Sequence, residues 1–280
     1  MIEAGLNMEF IRRSEKPFSA GVELAAGMGY KYVEPMLHNG RELMSEAGYY
    51  HSVSMEEDPH FIKDILDAHG LSSSAVSAHC PLMRPEISVM YLQRAVQFAA
   101  ILKAPVVNTD ESYRPAWIAD DEVWPVMRYT LKSVLRVAER YGIAIAIEPH
   151  QAISKTTDGL MRLATLIEHP LLRVNYDTGN AYLAGEDIYE ALDRIGPRLV
   201  HMHAKDISVA HSEAERGKVS GTPVGCACGD GVVDWARVIS IIRKHGFSGV
   251  LSVECGSPEE AVRSLEHLRT CIATGRATTA

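Results

Sequence analysis

Apolar and polar positions along this chain follow two alternating rhythms. Short runs of aliphatic and β-branched residues are separated by longer stretches in which apolar residues return every three or four positions. The runs Glu3–Asn7, Tyr30–Glu34, Ser72–Ala78, Pro105–Thr109, Ile143–Glu148, Leu172–Asp177, Leu199–His203 and Val250–Glu254 are predicted as strands. The stretches Phe18–Met28, Pro59–His69, Ser88–Leu102, Asp121–Tyr141, Asp158–Glu168, Ile188–Ile195, Trp235–His245 and Pro258–Ala273 are predicted as helices. Gly70, Gly142 and Gly246 each stand between a helix and the next strand, where a left-handed C-terminal cap belongs. Asp158 and Ser257 are expected to cap helix N-termini. Strict alternation of eight strand–helix units predicts an α/β fold, a single (β/α)8 TIM barrel spanning residues 1–280. An open doubly wound sheet shares that alternation, but no G-x-G-x-x-G follows the first strand. Two connections are long, Pro35–Pro59 and Ala204–Asp234. Long loops at the C-terminal ends of barrel strands are where lids and substrate contacts are built.

Alternation within the strands then picks out side chains. In Ile143–Glu148 the isoleucines share one parity, while Ala144, Ala146 and Glu148 share the other and are expected to face the barrel axis. By the same rule Asn175 pairs with Asp177, His201 with His203, and Ser252 with Glu254. Glu148, Asp177, His203 and Glu254 therefore point inward from the ends of four consecutive strands. One such carboxylate is ordinarily a cap or a hydrogen-bond acceptor. Three together repel one another unless a cation or protons neutralise them. Three carboxylates and one imidazole form an oxygen-rich set suited to a divalent cation.

Further residues emerge at the same end. His150 shares the parity of Glu148 and is a candidate general acid or base. His79 is expected to contact substrate hydroxyls, and Asn180, Lys205 and Glu111 are placed with it as substrate contacts. Lys205 either offsets substrate charge or pairs with Asp206. His201 lies deeper in its strand and is expected near substrate or as a support for His203. Asp110, Glu34 and His38 are further candidate contacts. The glycine-rich segment Gly221-Thr-Pro-Val-Gly-Cys-Ala-Cys-Gly-Asp-Gly231 reads as a lid. Cys255 adjoins Glu254 but has the opposite parity, so it should turn away from the site.

Composition narrows the partners. Lys and Arg total 28 against 36 Asp and Glu, a net charge of −8, which argues against nucleic acid as the main partner. Five scattered cysteines suit a reducing compartment, and Cys226 and Cys228 lack the spacing of a structural zinc site. No run has the length of a membrane span or the pattern of a leader, so a cytoplasmic protein is expected.

The motifs Ile147-Glu-Pro-His150, Asn175-Tyr-Asp-Thr-Gly-Asn180, His201-Met-His-Ala-Lys-Asp206, Gly231-Val-Val-Asp-Trp235 and Ser252-Val-Glu254 together resemble the xylose isomerase-like barrel superfamily. Its members include sugar phosphate isomerases and epimerases, ketose 3-epimerases, inosose dehydratases, lyases of 3-keto-glycosides and C-glycosides, and endonuclease IV. The resemblance implies that Glu148, Asp177, His203 and Glu254 hold one divalent ion, Mn2+ first, with Mg2+, Co2+ or Zn2+ as alternatives. It also implies that the two glutamates move protons on opposite faces of a carbohydrate substrate. Homo-oligomers, and in some members a smaller second subunit, belong to the same expectation. Two positions depart from the ketose 3-epimerases: Asn180 stands where they carry His, and Lys205–Asp206 stand where they place an Arg. The basic loops and extra histidines of endonuclease IV are missing.

The chemistry common to these enzymes is proton abstraction beside a carbonyl. The leading expectation is a metal-dependent isomerase or epimerase of a keto-sugar or related polyol. The alternative is a metal-dependent lyase or dehydratase on a keto-sugar, inosose or 3-keto-glycoside. A non-catalytic sugar-binding barrel is the reading from another class, and three intact carboxylates argue against it.

Overall fold

A computed structural model describes residues 1–40 and 48–277; residues 41–47 of the long Pro35–Pro59 connection and the last three residues lie outside it. Eleven strands are assigned among the described residues: β1 (Ile2–Asn7), β2 (Tyr32–Glu34), β3 (Leu37–His38), β4 (Val53–Ser54), β5 (Ser72–Ser73), β6 (Val76–Ser77), β7 (Val106–Thr109), β8 (Ala144–Ile147), β9 (Leu172–Asp177), β10 (Leu199–Ala204) and β11 (Gly249–Val253). Nine form one sheet in the order β5-β2-β1-β11-β10-β9-β8-β7-β6, with every pairing parallel.

The two ends of that order, β5 and β6, are halves of one predicted strand separated by Ser74 and Ala75. Ser72 and Ser74 donate backbone N–H groups to Lys31 and Val33, and Ser77 donates to Pro35, all toward β2 and the residues around it. On the other edge Ala78 donates to Asn108 of β7. The third strand thus pairs on both sides, and the sheet closes into the eight-stranded TIM barrel expected from the alternation. β3 and β4 form a separate small parallel pair within the second loop.

The parity reading of the fifth barrel strand is visible in the packing. Ile143, Ile145 and Ile147 join the large core between sheet and helices, whereas Ala144 and Ala146 join a small interior cluster with Ala75 and Val106. Close-packed alanines leave room inside the barrel for the polar side chains above them. A register shift between Leu199 and His201 brings Val200 against this same interior cluster.

Helices cover the outside. The helix Val123–Tyr141 buries Val123, Met127, Leu131, Val134, Leu135 and Ala138, a stripe spaced three and four apart. It ends at Gly142, whose φ of 68° lets its N–H reach the Ala138 carbonyl. Gly70 and Gly246 have the same left-handed geometry. The expected Asp158 cap is replaced by Thr156, whose hydroxyl accepts from Gly159 N at 3.2 Å, so the helix Thr157–Ala164 begins one residue earlier. Ser257 does accept from Glu260 N, as a cap would. No helix among the described residues is long and apolar enough to cross a membrane.

Candidate metal and substrate site

Glu148, Asp177, His203 and Glu254 meet at the C-terminal ends of β8, β9, β10 and β11, four neighbouring strands of the barrel. Their side chains are almost wholly buried. His203 Nδ1 is the centre of the group, 3.3 Å from Glu148 Oε2, 3.3 Å from Glu254 Oε2 and 3.8 Å from Asp177 Oδ2. Atoms bound to one cation at about 2.1 Å lie about 3.0 to 3.4 Å from one another, so the spacings of Glu148 and Glu254 match a shared ion, while Asp177 stands slightly further off. His203 Nδ1 and Glu254 Oε2 are buried with no hydrogen-bond partner among the described residues. Orphaned acceptors of this kind, in a set of three carboxylates and one imidazole, fit a divalent cation.

The other edge of His203 is fully engaged. Its Nε2 lies 3.0 Å from both carboxylate oxygens of Glu34 on β2. Glu34 also accepts from Asn108 Nδ2 at 2.6 Å and from Ser77 Oγ at 2.9 Å. Donation from Nε2 to Glu34 aims Nδ1 at the carboxylates, the usual support for a metal-bound imidazole. Burial alone would raise the Glu34 carboxyl, but His203 and His201 outweigh it and hold the group well below the ordinary carboxylate range. Burial would likewise lower His203, and Glu148 and Glu34 instead raise it well above its ordinary value.

The Asp-Thr-Gly-Asn motif has a local explanation. Asp177 caps the short helix Thr178–Leu183 with Oδ1, which accepts from Asn180 N at 2.9 Å, and this leaves Oδ2 for the site. Thr178 Oγ1 donates to the Lys205 carbonyl at 2.8 Å. Gly179 is required because any Cβ there would fall 2.6 Å from Cγ of Lys205. Asn180 reaches Glu148 Oε1 with its amide nitrogen at 3.4 Å.

Lys205 is buried, with its Nζ 2.8 Å from Asp177 Oδ2 and 3.1 Å from Glu254 Oε1. It does not pair with Asp206. That carboxylate instead accepts from Ile207 N, Val233 N, Gly229 N and Trp235 Nε1, which shapes the loop after β10. Burial opposes the Lys205 charge, but Asp177 and Glu254 dominate and raise its basicity. Glu254 is pushed up to about 7, first by burial and then by Asp177 and Glu148, against the pull of Lys205 and His203. Asp177 is held at about 2 by Lys205 and His203 against its burial.

A second cluster flanks the first. His150 Nδ1 lies 2.5 Å and His79 Nδ1 3.6 Å from Asp110 Oδ2, and His79 Nε2 lies 3.7 Å from Glu148 Oε2. Burial would lower both imidazoles. Asp110 outweighs it, raising His79 to about 9 and moving His150 in the same direction.

Above these groups opens a cavity of about 530 Å³, lined among others by Glu148, His150, Asn180, His203, Lys205 and Glu254. His79 lines it too, as do Arg12 and Tyr49 at the mouth. Two expected substrate contacts do not line this cavity. His201 sits lower in the barrel, with Nδ1 3.0 Å from Asn175 Oδ1 and Nε2 3.3 Å from Ser74 Oγ. Its burial lowers it to about 4. Glu111 spends one oxygen on the backbone N–H groups of Ile153 and Ser154 at 2.7 and 3.0 Å, and so anchors the loop that carries His150. Cys255 is buried and its thiol is pushed up to about 12 by that burial, in keeping with its parity.

Sequence reasoning placed Glu34 and Asp110 as substrate contacts, yet each orients histidines. Their places at strand ends were visible; their partners were not. Glu9 was missed altogether. It is buried, 3.1 Å from His51 Nε2 and 2.9 Å from Arg12 Nη1, and positions Arg12 at the mouth.

Comparison with known proteins gives this geometry a context. The sequence profile described as xylose isomerase-like TIM barrel matches residues 22–271. An uncharacterized protein of Methanocaldococcus jannaschii is 26% identical over 192 residues, 66% of this chain and 62% of that protein. The inosose dehydratase of Bacillus licheniformis is 28% identical over 156 residues, 52% of this chain and 51% of that protein. The chain thus matches less than two thirds of the length of these curated relatives. Among solved structures, a D-tagatose 3-epimerase-like protein has a TM-score of 0.76 at 20% identity, covering 99% of this chain and 100% of that one. The IolI protein, in a structure with a zinc atom, has a TM-score of 0.73 at 17% identity, covering 97% and 98%. At these identities the structures establish the fold.

Proposed function

This chain belongs to the xylose isomerase-like TIM-barrel family, and from that premise we propose that it is a divalent-metal-dependent isomerase or epimerase of a keto-sugar or related polyol. One observation carries the reading. Glu148, Asp177 and Glu254 converge on the Nδ1 edge of His203, and Glu148, His203 and Glu254 line a sugar-sized cavity. Mn2+ is the cation proposed for this set, with Mg2+, Co2+ or Zn2+ as alternatives.

When bound, the cation supplies a Lewis acid for a carbonyl or hydroxyl oxygen of the substrate. Glu148 and Glu254 stand on the outermost of the four neighbouring strands and therefore approach the cavity from its two sides. Each has an oxygen placed to take or return a proton at a carbon beside the carbonyl. Return to the opposite face gives epimerisation, and return to the adjacent carbon gives isomerisation. Asn180 and His79 present polar groups to the same cavity and are proposed to hold substrate hydroxyls.

A second reading has its own support. His79 and His150, whose basicity Asp110 raises, stand beside Glu148 as candidate acids. A protonated imidazole is what the departure of a β-hydroxyl or glycosyl group needs. That favours a dehydratase or lyase on a keto-sugar, inosose or 3-keto-glycoside, and the relatives include inosose dehydratases.

Proton NMR of Mn2+-loaded protein in D2O, with a panel of ketoses, inososes and 3-keto-glucosides, separates the two. Deuterium entering beside the carbonyl with every hydroxyl retained supports the first reading. Loss of a β-substituent supports the second. Exchange that persists after chelation would sink the metal-dependent mechanism.

A further inference from the structure

The roof of the cavity is tied to its floor through one side chain. Ser220, Gly221, Thr222 and Pro223 line the cavity from above. Lys205 Nζ donates to the carbonyl oxygen of Thr222 at 2.8 Å and to Asn180 Oδ1 at 3.1 Å. The same nitrogen lies 2.8 Å from Asp177 Oδ2 and 3.1 Å from Glu254 Oε1. An ammonium has three N–H groups, and here four acceptors surround it. The two carboxylates and the two roof-side oxygens therefore compete for its protons.

The roof is fastened at two more points, both of which lead back to the site. Thr222 N donates to Asn180 Oδ1 at 3.1 Å, and Gly225 N donates to the carbonyl of Glu254 at 3.1 Å. Gly221 lies so close to Asn180 that a Cβ there would fall 2.4 Å from Oδ1. Asn180 itself is anchored by the Asp177 cap.

From this arrangement we propose that Lys205 is a positioning residue that couples the cation on the floor to closure of the roof. The inference rests on the metal reading given above. A divalent cation drawn to Asp177 and Glu254 takes up their charge and repels the ammonium. Lys205 then turns its protons to Thr222 and Asn180, and the roof tightens over the loaded site. Linkage requires the converse: whatever loosens the roof returns Lys205 to the carboxylates and weakens the hold on the cation.

Hydrogen exchange and calorimetry with Mn2+ alone test this without any turnover. In the wild type, Mn2+ should slow exchange at the Thr222 and Gly225 amides by about tenfold. Lys205→Met should bind Mn2+ about tenfold more tightly, since a competing charge is gone, and its roof amides should ignore the metal. Gly221→Ala, which displaces the roof from Asn180, should weaken Mn2+ binding about fivefold in the wild type and not at all in the Lys205→Met background. The coupling is overturned if Mn2+ binds the wild type without changing exchange at these amides. It is overturned equally if Gly221→Ala costs the same affinity with and without Lys205. Failure of both wild type and Lys205→Met to bind Mn2+ would remove the metal reading and the coupling together.

Discussion

His203 Nε2 sits 3.0 Å from both oxygens of Glu34, across the barrel from its own strand neighbours. The pairing turns Nδ1 toward Glu148, Asp177 and Glu254, and so decides which edge of the imidazole faces the cavity. Glu34→Gln keeps the shape but removes the charge that favours donation from Nε2. Mn2+ affinity should fall about 10- to 100-fold, the usual cost of losing a ligand's carboxylate partner. Titration calorimetry checks this, and an unchanged affinity would remove Glu34 from the metal centre.

The ligand set itself makes a stronger claim. His203→Ala should lose most bound Mn2+ after dialysis, measured by metal analysis. Glu254→Gln should retain weakened binding and lose about 10²- to 10⁴-fold in kcat, as for a group that transfers a proton. Intact metal content and activity in both variants would sink the site.

Asp110 and His150 should separate from the metal. His150→Ala is expected to keep Mn2+ while kcat falls about 100-fold. Asp110→Asn should fall less, because His150 remains but loses its charge partner. If elimination is the reaction, both changes should slow it in that order while leaving solvent exchange at the carbon beside the carbonyl. Normal turnover by His150→Ala would exclude it from the chemistry.

Burial of His201 makes one contribution to stability that acid removes, and its sign can be worked out. His201 has a folded pKa of about 4 against an ordinary 6.5, so the unfolded chain binds its proton first as pH falls. Stability is intact above the unfolded value and is lost progressively from about pH 6.5 down to about 4, by roughly 3 kcal/mol. Glu34 acts in the same direction at lower pH, since its folded pKa is also depressed. Glu254, raised to about 7, and His79, raised to about 9, act in the opposite direction as pH falls. The contribution of His201 is therefore read as a difference: between pH 7 and pH 5, His201→Asn should lose less stability in urea unfolding than the wild type does.

Gly179→Ala should be costly despite its small size. The new Cβ would press on the inner carbons of Lys205, not on its mobile end. Overpacking of this kind costs about 1–3 kcal/mol, readable as a lowered Tm. An unchanged Tm would show that Lys205 has room to move.

Much of the architecture was legible because parallel barrels impose two simple periods. Ile143, Ile145 and Ile147 could be assigned to the outer core, and Ala144, Ala146 and Glu148 to the interior, from alternation alone. The interruption of the third strand at Ser74–Ala75 was not legible, since the run Ser72–Ala78 has no local signal for a break. Nor was the cap at Thr156, where Thr and Asp stand two residues apart and both are good candidates.

The sequence by itself determined which side chains face the axis and at which end they emerge, because strand parity is a local property of the backbone. It therefore brought Glu148, Asp177, His203 and Glu254 to one place. Only the tertiary structure decided what each of them touches. Glu34 is 169 residues from His203, Asp110 is 40 from His150, and Thr222 is 17 from Lys205 across an irregular loop. Such pairings depend on barrel closure and loop path, which no local pattern encodes. They settle whether a polar residue meets substrate, as proposed for His79, or disappears beneath it, as His201 does.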